Sequence, residues 1–600
     1  MVTAAPPASL AAAHAQFSRG DFVAAWATLG PLVTAHPGDA KLLQLAGLVR
    51  RGAGDLTGAR DLLARSAAAG GGGEVLNTLG NVLADLGESD AADAAFVQAA
   101  RAAPRDPNPW INRGRLASKR DRHTTALGHL RRAVEIAPRS VLAQVALGNA
   151  LRRAGELDAA VAALRTARGL DPARASTALH LGVAQTEAGR AREAVATFDA
   201  VGPSGNASPE LLHNRAAAVL ALGDVAGAKA GYDALVAAHP AYLPGHRVRA
   251  RLIQEYALAE DPFASYRRLA DQYPGEAVIW SAWLEALIAA RAYAAVRSVA
   301  DEAVAAVGRR VDIDAVLAIA LSELGELGAA DEAFARVAAV AGQDVGFRLS
   351  RIRHLLKRGD AARAASEADA VVTEEPDNQL GWAYLGTAWR VLGDPREYWL
   401  HDYDRHARID WALPPGDARS PDAFVADCAD ALRRLHVTKV HPADQTLRNG
   451  TQTPGALFGR GDPTIAALEA AVRAAVARFI VGLPDDSIHP LLRRKSELIR
   501  FNGSWSVRLT EGGFHVSHIH DRGWISSAFY FVLPERSGDE GALALGAPPQ
   551  ELGLALAPRR VIRPQPGQLA LFPSSMWHGT LPFPGDAERL TVAFDVIPDA

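Results

Sequence analysis

Two patterns of apolar and polar positions divide this chain of 600 residues. Up to about Pro395 the apolar positions fall into helical groups with small residues phased among them. Glycines recur at Gly20, Gly54, Gly87, Gly155, Gly189, Gly223, Gly325, Gly359 and Gly393, spaced by 34 residues or a multiple of 34, with one interval of 33. Prolines keep the same clock at Pro37, Pro104, Pro138, Pro172, Pro240, Pro274 and Pro376, and alanines at Ala25, Ala59, Ala92, Ala126, Ala160, Ala194, Ala228, Ala330 and Ala364. Three residue types in one register mark an internal repeat. Each has a physical task. The glycine turns the chain between two helices, where a positive φ is cheap only for Gly. The alanine lets the second helix approach the first, and the proline closes the unit. Leu147-Gly148 and Leu181-Gly182 put a small residue on the first helix for the same reason. Ala257 and Arg291 stand where the turn glycine belongs, so residues near 243–310 are expected to be helical with altered curvature.

The period stops near Pro395, and Leu413-Pro-Pro-Gly416 and Ser420-Pro421 punctuate a boundary. Phe424, Cys428, Leu432 and Leu435 then fit one helical face, and Ile465, Leu468 and Val472 another. From Glu497 the pattern changes to short β-type runs: Leu498–Phe501, Ser504–Leu509, Trp524–Leu533, Gln568–Phe572 and Leu590–Val596. Runs of this length, separated by Gly and Pro, predict an antiparallel barrel or sandwich. The expected fold class is therefore multidomain. An all-α solenoid spans residues 1–395, a linker 396–420, and a β-barrel domain with flanking helices 421–600.

Composition narrows the function. Hydrophobic residues make up 49% of the chain, enough for folded cores. The formal charge of −3 lacks the basic excess of a general nucleic-acid binder. A single cysteine, Cys428, excludes an internal disulfide framework and a Cys-based zinc site. Residues Met1 to Gly20 have no basic start followed by a continuous apolar core, so no signal peptide is expected and the cytoplasm is the simplest location. No apolar run is long enough to predict a membrane span.

The candidate chemistry lies in Phe514-His-Val-Ser-His-Ile-His520-Asp521. Residues two apart on a strand project to one face, so the imidazoles of His518 and His520 can meet one metal. His578, in Phe572-Pro-Ser-Ser-Met-Trp-His578, sits just past another β run, 58 residues beyond His520. Two ligands from one strand and one from a distant strand build a facial metal site with open positions. Arg589 opens the last run, and Arg589, Thr591 and Ala593 alternate onto one face. A lone histidine on a strand is usually structural, and His515 is read that way. An ordinary salt bridge is the competing role for Arg589. Gly455–Gly461 lacks the Gly-Lys-Ser/Thr ending of a phosphate loop, and there is no Gly-x-Ser-x-Gly elbow.

Two resemblances add to this reading. The repeating unit resembles the tetratricopeptide repeat (TPR), over about 11 or 12 units from Pro6 to roughly Pro395. It implies a TPR superhelix whose concave groove takes a protein or peptide. Asn81, Arg115, Asn149 and Arg153 on the first helices are expected to face that groove; the competing reading is solvated surface. Gly513–Pro534, the stretch Pro566-Gly567-Gln-Leu-Ala-Leu-Phe572-Pro573 through His578, and Arg589 resemble the 2-oxoglutarate–Fe(II) oxygenases. Trp524-Ile-Ser-Ser-Ala-Phe-Tyr530-Phe corresponds to the Ile/Leu-Ser-x-x-Tyr-Tyr/Phe strand of one branch, and Asp444-Gln-Thr-Leu-Arg448-Asn-Gly450-Thr-Gln452-Thr453 to a stretch upstream in it.

This second resemblance implies a double-stranded β-helix (jelly-roll) barrel holding Fe(II) through His518 and His578. 2-Oxoglutarate would be co-substrate, its distal carboxylate on Arg589 with Tyr530 and Thr591 alongside, and molecular oxygen would be the second co-substrate. Most related enzymes carry Asp or Glu where His520 stands. Either His520 completes the metal set or a strand kink recruits Asp521, and same-face geometry favours His520. Gln445, Arg448 and Gln452 either line the active-site mouth or only hydrogen-bond within a loop. The leading expectation is a hydroxylase whose repeats recruit a protein or peptide, with no nucleic-acid or membrane partner. The alternatives are a repeat scaffold with an inactive barrel and a three-His dioxygenase independent of 2-oxoglutarate.

Overall fold

The computed structural model describes residues 7–201, 208–414, 416, 419–436, 447–453, 455–535, 537–585 and 587–599. Gln445 lies outside them. The nine phased turn glycines all adopt left-handed φ, between +70° and +84°. Ala257 and Arg291 occupy the same turn with φ of +46° and +55°, so the divergent units keep the turn at the cost of strain. All nine phased alanines are fully buried, at 0% exposure. On the first helices the close approach is equally tight: a Cβ added to Gly148 would lie 2.5 Å from Cγ of Leu164.

The contacts divide the chain into two compact units after Leu181. The first contains the helices from Pro7–Ser18 to Leu157–Leu170 and most of Ala175–Glu187, with successive helices packed on one another. The second, Gly182–Pro598, holds the remaining repeats, ending with the helix Gln379–Leu392, together with all the β-structure among the described residues.

Among the described residues of the second unit, nine strands form one antiparallel sheet: β1 (Arg408–Trp411), β2 (Leu447–Gln452), β3 (Ile499–His518), β4 (Ile525–Val532), β5 (Leu543–Leu545), β6 (Arg560–Ile562), β7 (Gln568–Pro573), β8 (His578–Thr580) and β9 (Arg589–Pro598). Their order is β1-β7-β4-β9-β3-β8-β5-β6, with β2 paired to β3. The runs expected at 498–501 and 504–509 merge with the histidine motif into the 20-residue β3. This strand turns a corner at Gly512, with φ +78°. Its first part pairs with β9, its second part with β8, and β2 runs along both sides of the corner, from Val507 to His515.

Alternation along β9 separates two environments. Leu590, Val592, Phe594 and Val596 enter a core closed by two helices, Pro421–Leu435 and Pro463–Val481, through Phe424, Cys428, Leu468 and Val472. Arg589, Thr591 and Ala593 line a cavity on the opposite face. The helical faces read from the sequence are thus the lid of the sheet, and the jelly-roll-like fold leaves its other face to a cavity.

The stretch expected to be a linker contributes the short helix Arg396–Leu400 and then β1, which pairs with β7. Glu397 is buried there and accepts two hydrogen bonds from Arg559, at 2.9 and 2.6 Å. Three buried histidines follow, His401, His406 and His489. His489 is held at both nitrogens, with Nε2 3.0 Å from the Trp399 carbonyl and Nδ1 accepting from the Leu491 amide at 3.1 Å. Burial and the neighbouring imidazoles push His401 down to about 3 and His406 down to about 4. The unfolded chain takes up a proton at each below an ordinary His value of about 6.5, whereas the folded chain resists until far lower pH. The stabilising contribution is complete above about 6.5 and falls with pH, by up to about 1.4 kcal/mol per pH unit for each imidazole. The unfolding midpoint should therefore drop between pH 6.5 and 4.5, and His406→Gln should show a shallower drop. Equal slopes in the two proteins would contradict this account.

Candidate metal centre

His518, His520 and His578 converge, with one candidate ligand atom from each lying within 4.8 Å of the others. The ring centroids are 5.2 Å apart for His518–His520, 4.3 Å for His518–His578 and 5.0 Å for His520–His578. The geometry that achieves this differs from simple strand alternation. β3 ends at His518, so His520 lies beyond it. The His520 amide donates to the Ser574 carbonyl at 3.1 Å, which keeps its ring turned to the same point. His578 opens β8 directly opposite His518.

Each ring is oriented through Nδ1. The Val516 carbonyl lies 2.8 Å from Nδ1 of His518, and the Met576 carbonyl 3.0 Å from Nδ1 of His578. Nδ1 of His520 is 2.5 Å from Oδ1 of Asp595. A carbonyl can only accept, so in the first two rings Nδ1 carries the hydrogen and Nε2 keeps its lone pair. Asp595 sets the same tautomer in His520. The carboxylate is itself fixed by the Ser526 hydroxyl at 2.7 Å, and Ser526 meets Ser574 at 2.8 Å. With Nδ1 engaged in each ring, Nε2 is the nitrogen left for a metal, which is the arrangement metal-binding imidazoles need. Burial and the neighbouring imidazoles push His518 down to about 3 and His578 well below the ordinary value. Burial works against the His520 cation too, but the charge and hydrogen bond of Asp595 raise it. Asp521 is exposed and outside the cluster.

The rings line a cavity of about 50 Å³ together with Trp505, Ala528, Arg589, Thr591 and Ala593. Arg589 is 2% exposed, donates from Nε to the Gly541 carbonyl at 3.2 Å, and has its guanidinium 5.2 Å from the centre of the Tyr530 ring. Tyr530 faces Thr591 across the β4–β9 ladder and is fully buried. Arg448 and Gln452 lie on β2 and do not line this cavity; Arg448 donates to its own Leu447 carbonyl at 2.7 Å. In the first unit, Arg115 and Arg153 are exposed and Asn81 and Asn149 half-buried. Arg153 reaches the Ser118 carbonyl of the preceding repeat at 3.1 Å.

Three members of the site were not singled out in the sequence. His515, read above as structural, lines the cavity as well, where a register shift falls between it and His518. Asp595 and Ser526 supply the support of His520. The legible signal for Asp595 was a carboxylate falling in phase with Arg589, Thr591 and Ala593 in an otherwise apolar strand. His515, Gly579 and Thr580 also border a second, larger chamber of about 740 Å³. Its walls are largely apolar, including Phe514, Val516, Ala547, Leu554 and Pro558. The acidic Glu551 in that wall is engaged by Arg291 at 2.9 Å.

Comparison with known proteins agrees with both halves of this picture. Residues 503–595 match the family described as "Putative 2OG-Fe(II) oxygenase", and residues 77–141 and 145–209 match the tetratricopeptide repeat. The chain thus carries TPR repeats and a C-terminal domain of the oxygenase type. No curated protein matches it. Among solved structures, a tetratricopeptide repeat protein from Parabacteroides merdae ATCC 43184 is 17% identical over 38% of this chain and 91% of its own, with a TM-score of 0.32. MamA from Desulfovibrio magneticus RS-1 is 25% identical over 27% of this chain and 92% of its own, with a TM-score of 0.25. A thermophilic TPR protein from Thermus thermophilus is 24% identical over 31% of this chain and 100% of its own, with a TM-score of 0.26. Among the described residues no helix is long and apolar enough to cross a membrane.

Proposed function

We propose that the C-terminal region is a non-haem iron(II) oxygenase that uses 2-oxoglutarate and molecular oxygen to hydroxylate a protein or peptide recruited by the repeats. The observation that carries this reading is the convergence of three imidazoles, each with its Nδ1 engaged by an acceptor. His518, His520 and His578 would hold the iron, which supplies oxygen activation when bound. A ligand set of three imidazoles is less anionic than two imidazoles and a carboxylate. Asp595 offsets part of that difference by placing its charge on His520 through Nδ1. Arg589 would take the distal carboxylate of 2-oxoglutarate, with Tyr530 beneath its guanidinium and Thr591 beside it. The apolar chamber bordering His515 and Thr580 suits an uncharged segment of the substrate, since its one acidic group is already neutralised by Arg291.

Anaerobic titration of the full chain with Fe(II), with and without 2-oxoglutarate, tests the reading. The expected result is one tightly bound iron and a weak visible charge-transfer band on adding 2-oxoglutarate. Absence of iron binding would overturn it in favour of a scaffold with an inactive barrel. Iron binding without any 2-oxoglutarate response would favour the three-His dioxygenase, a reading kept because no carboxylate among the described residues joins the metal cluster.

A further inference from the structure

The three histidines are not supported alike. His518 leans on its own strand and His520 on β9, both within the sheet. His578 hangs on the Met576 carbonyl, so its ring follows the corner Ser574–Trp577 that joins β7 to β8. That corner is gripped by the last repeat helix, Gln379–Leu392. The indole of Trp577 is buried among Tyr384, Leu385 and Trp389 of the repeats. Its Nε1–H donates to Oγ1 of Thr387 at 2.8 Å. The Thr387 hydroxyl spends its own hydrogen on the Ala383 carbonyl, at 2.8 Å, so it meets the indole as an acceptor. Arg390, one turn on, donates to the Gly546 carbonyl at 2.6 Å, and the Gly546 amide donates to the Trp577 carbonyl at 2.7 Å.

We infer that Thr387, through Trp577, is a positioning residue for the metal ligand His578, so that the repeat array completes the metal centre as well as recruiting a partner. This rests on the iron reading above. Valine at 387 keeps the shape and removes the acceptor. The buried indole N–H then loses its partner, and the corner must shift to find another. A displacement of about half an ångström is enough to disturb a metal site. Groups that orient a ligand typically change metal affinity about 10–100-fold when removed.

The test uses the full-length protein and Co(II) as an anaerobic probe for Fe(II). Thr387→Val is expected to weaken Co(II) binding about 10-fold and to alter its ligand-field spectrum. Thr387→Ser, which restores the acceptor, should return both to wild type. Val372→Ala, in the neighbouring helix and buried, should lower the thermal midpoint without touching either readout. Wild-type affinity and spectrum in Thr387→Val would overturn the positioning role while leaving the metal reading intact. An equal loss in Val372→Ala would also overturn it, by reducing the effect to general destabilisation. Failure of the wild-type protein to bind Co(II) or Fe(II) would remove the metal reading and this role with it.

Discussion

Replacing His578 or His518 with alanine is expected to abolish stoichiometric iron binding while the chain remains folded. Each residue supplies one of three converging imidazoles, and the remaining pair cannot define a facial site. The loss should exceed the roughly 10–100-fold typical of groups that only orient a ligand. Folding should survive because the rings face the cavity, whereas the core on the other side of the sheet is built from Leu590, Val592, Phe594, Val596 and the two covering helices. Iron content of the purified variants, read beside their far-ultraviolet circular dichroism, checks both halves. Wild-type iron content in either variant would remove that residue from the metal set.

Arg589→Ala should weaken 2-oxoglutarate by about 30-fold or more, the consequence of truncating one partner of a desolvated charge pair worth roughly 2–5 kcal/mol. The guanidinium is almost fully buried on the cavity face, fixed by the Gly541 carbonyl at 3.2 Å and by the Tyr530 ring. It lines the same cavity as the three histidines, where under the proposed reading it would take the far carboxylate of the co-substrate. Iron affinity should barely change, because a guanidinium cannot be a ligand. Titrating 2-oxoglutarate into Fe(II)-loaded wild type and variant decides the matter: equal affinities would take Arg589 out of the site.

The repeats were legible because their architecture depends on a backbone requirement that recurs. Glycine at a positive φ and a fully buried alanine leave the same mark every 34 residues, and the turn persists even where Ala257 and Arg291 replace glycine. The three histidines were legible because two of them stand two apart beside a β-type run and the third just past another, a spacing that local pattern reveals. What lay hidden depends on register rather than residue type. Glu511-Gly512-Gly513 reads as a break, yet β3 runs straight through it with a corner. The register shift between His515 and His518 exists only once β8 is paired with β3. His520 was credited to strand alternation, whereas its ring is held by a backbone bond to Ser574 and by Asp595. The grip of Thr387 on Trp577 joins residues 190 positions apart, and no local pattern announces such a bond.

The two faces of β9 also bear on how the chain finds its structure. Its odd positions carry a guanidinium, a hydroxyl and a carboxylate, and its even positions carry Leu590, Val592, Phe594 and Val596. A slip of one residue against β3 and β4 would exchange the faces. Arg589 and Asp595 would enter the apolar layer beside Phe529 and Leu569, and four large apolar side chains would crowd the cavity. Each buried, unpaired charge would cost several kcal/mol, so the misregistered sheet has no low-energy form. The polar groups of the cavity face therefore also act as a reading-frame check on assembly. A one-residue insertion within β9 should be far more damaging than one in the turn that precedes it, whatever its effect on the metal.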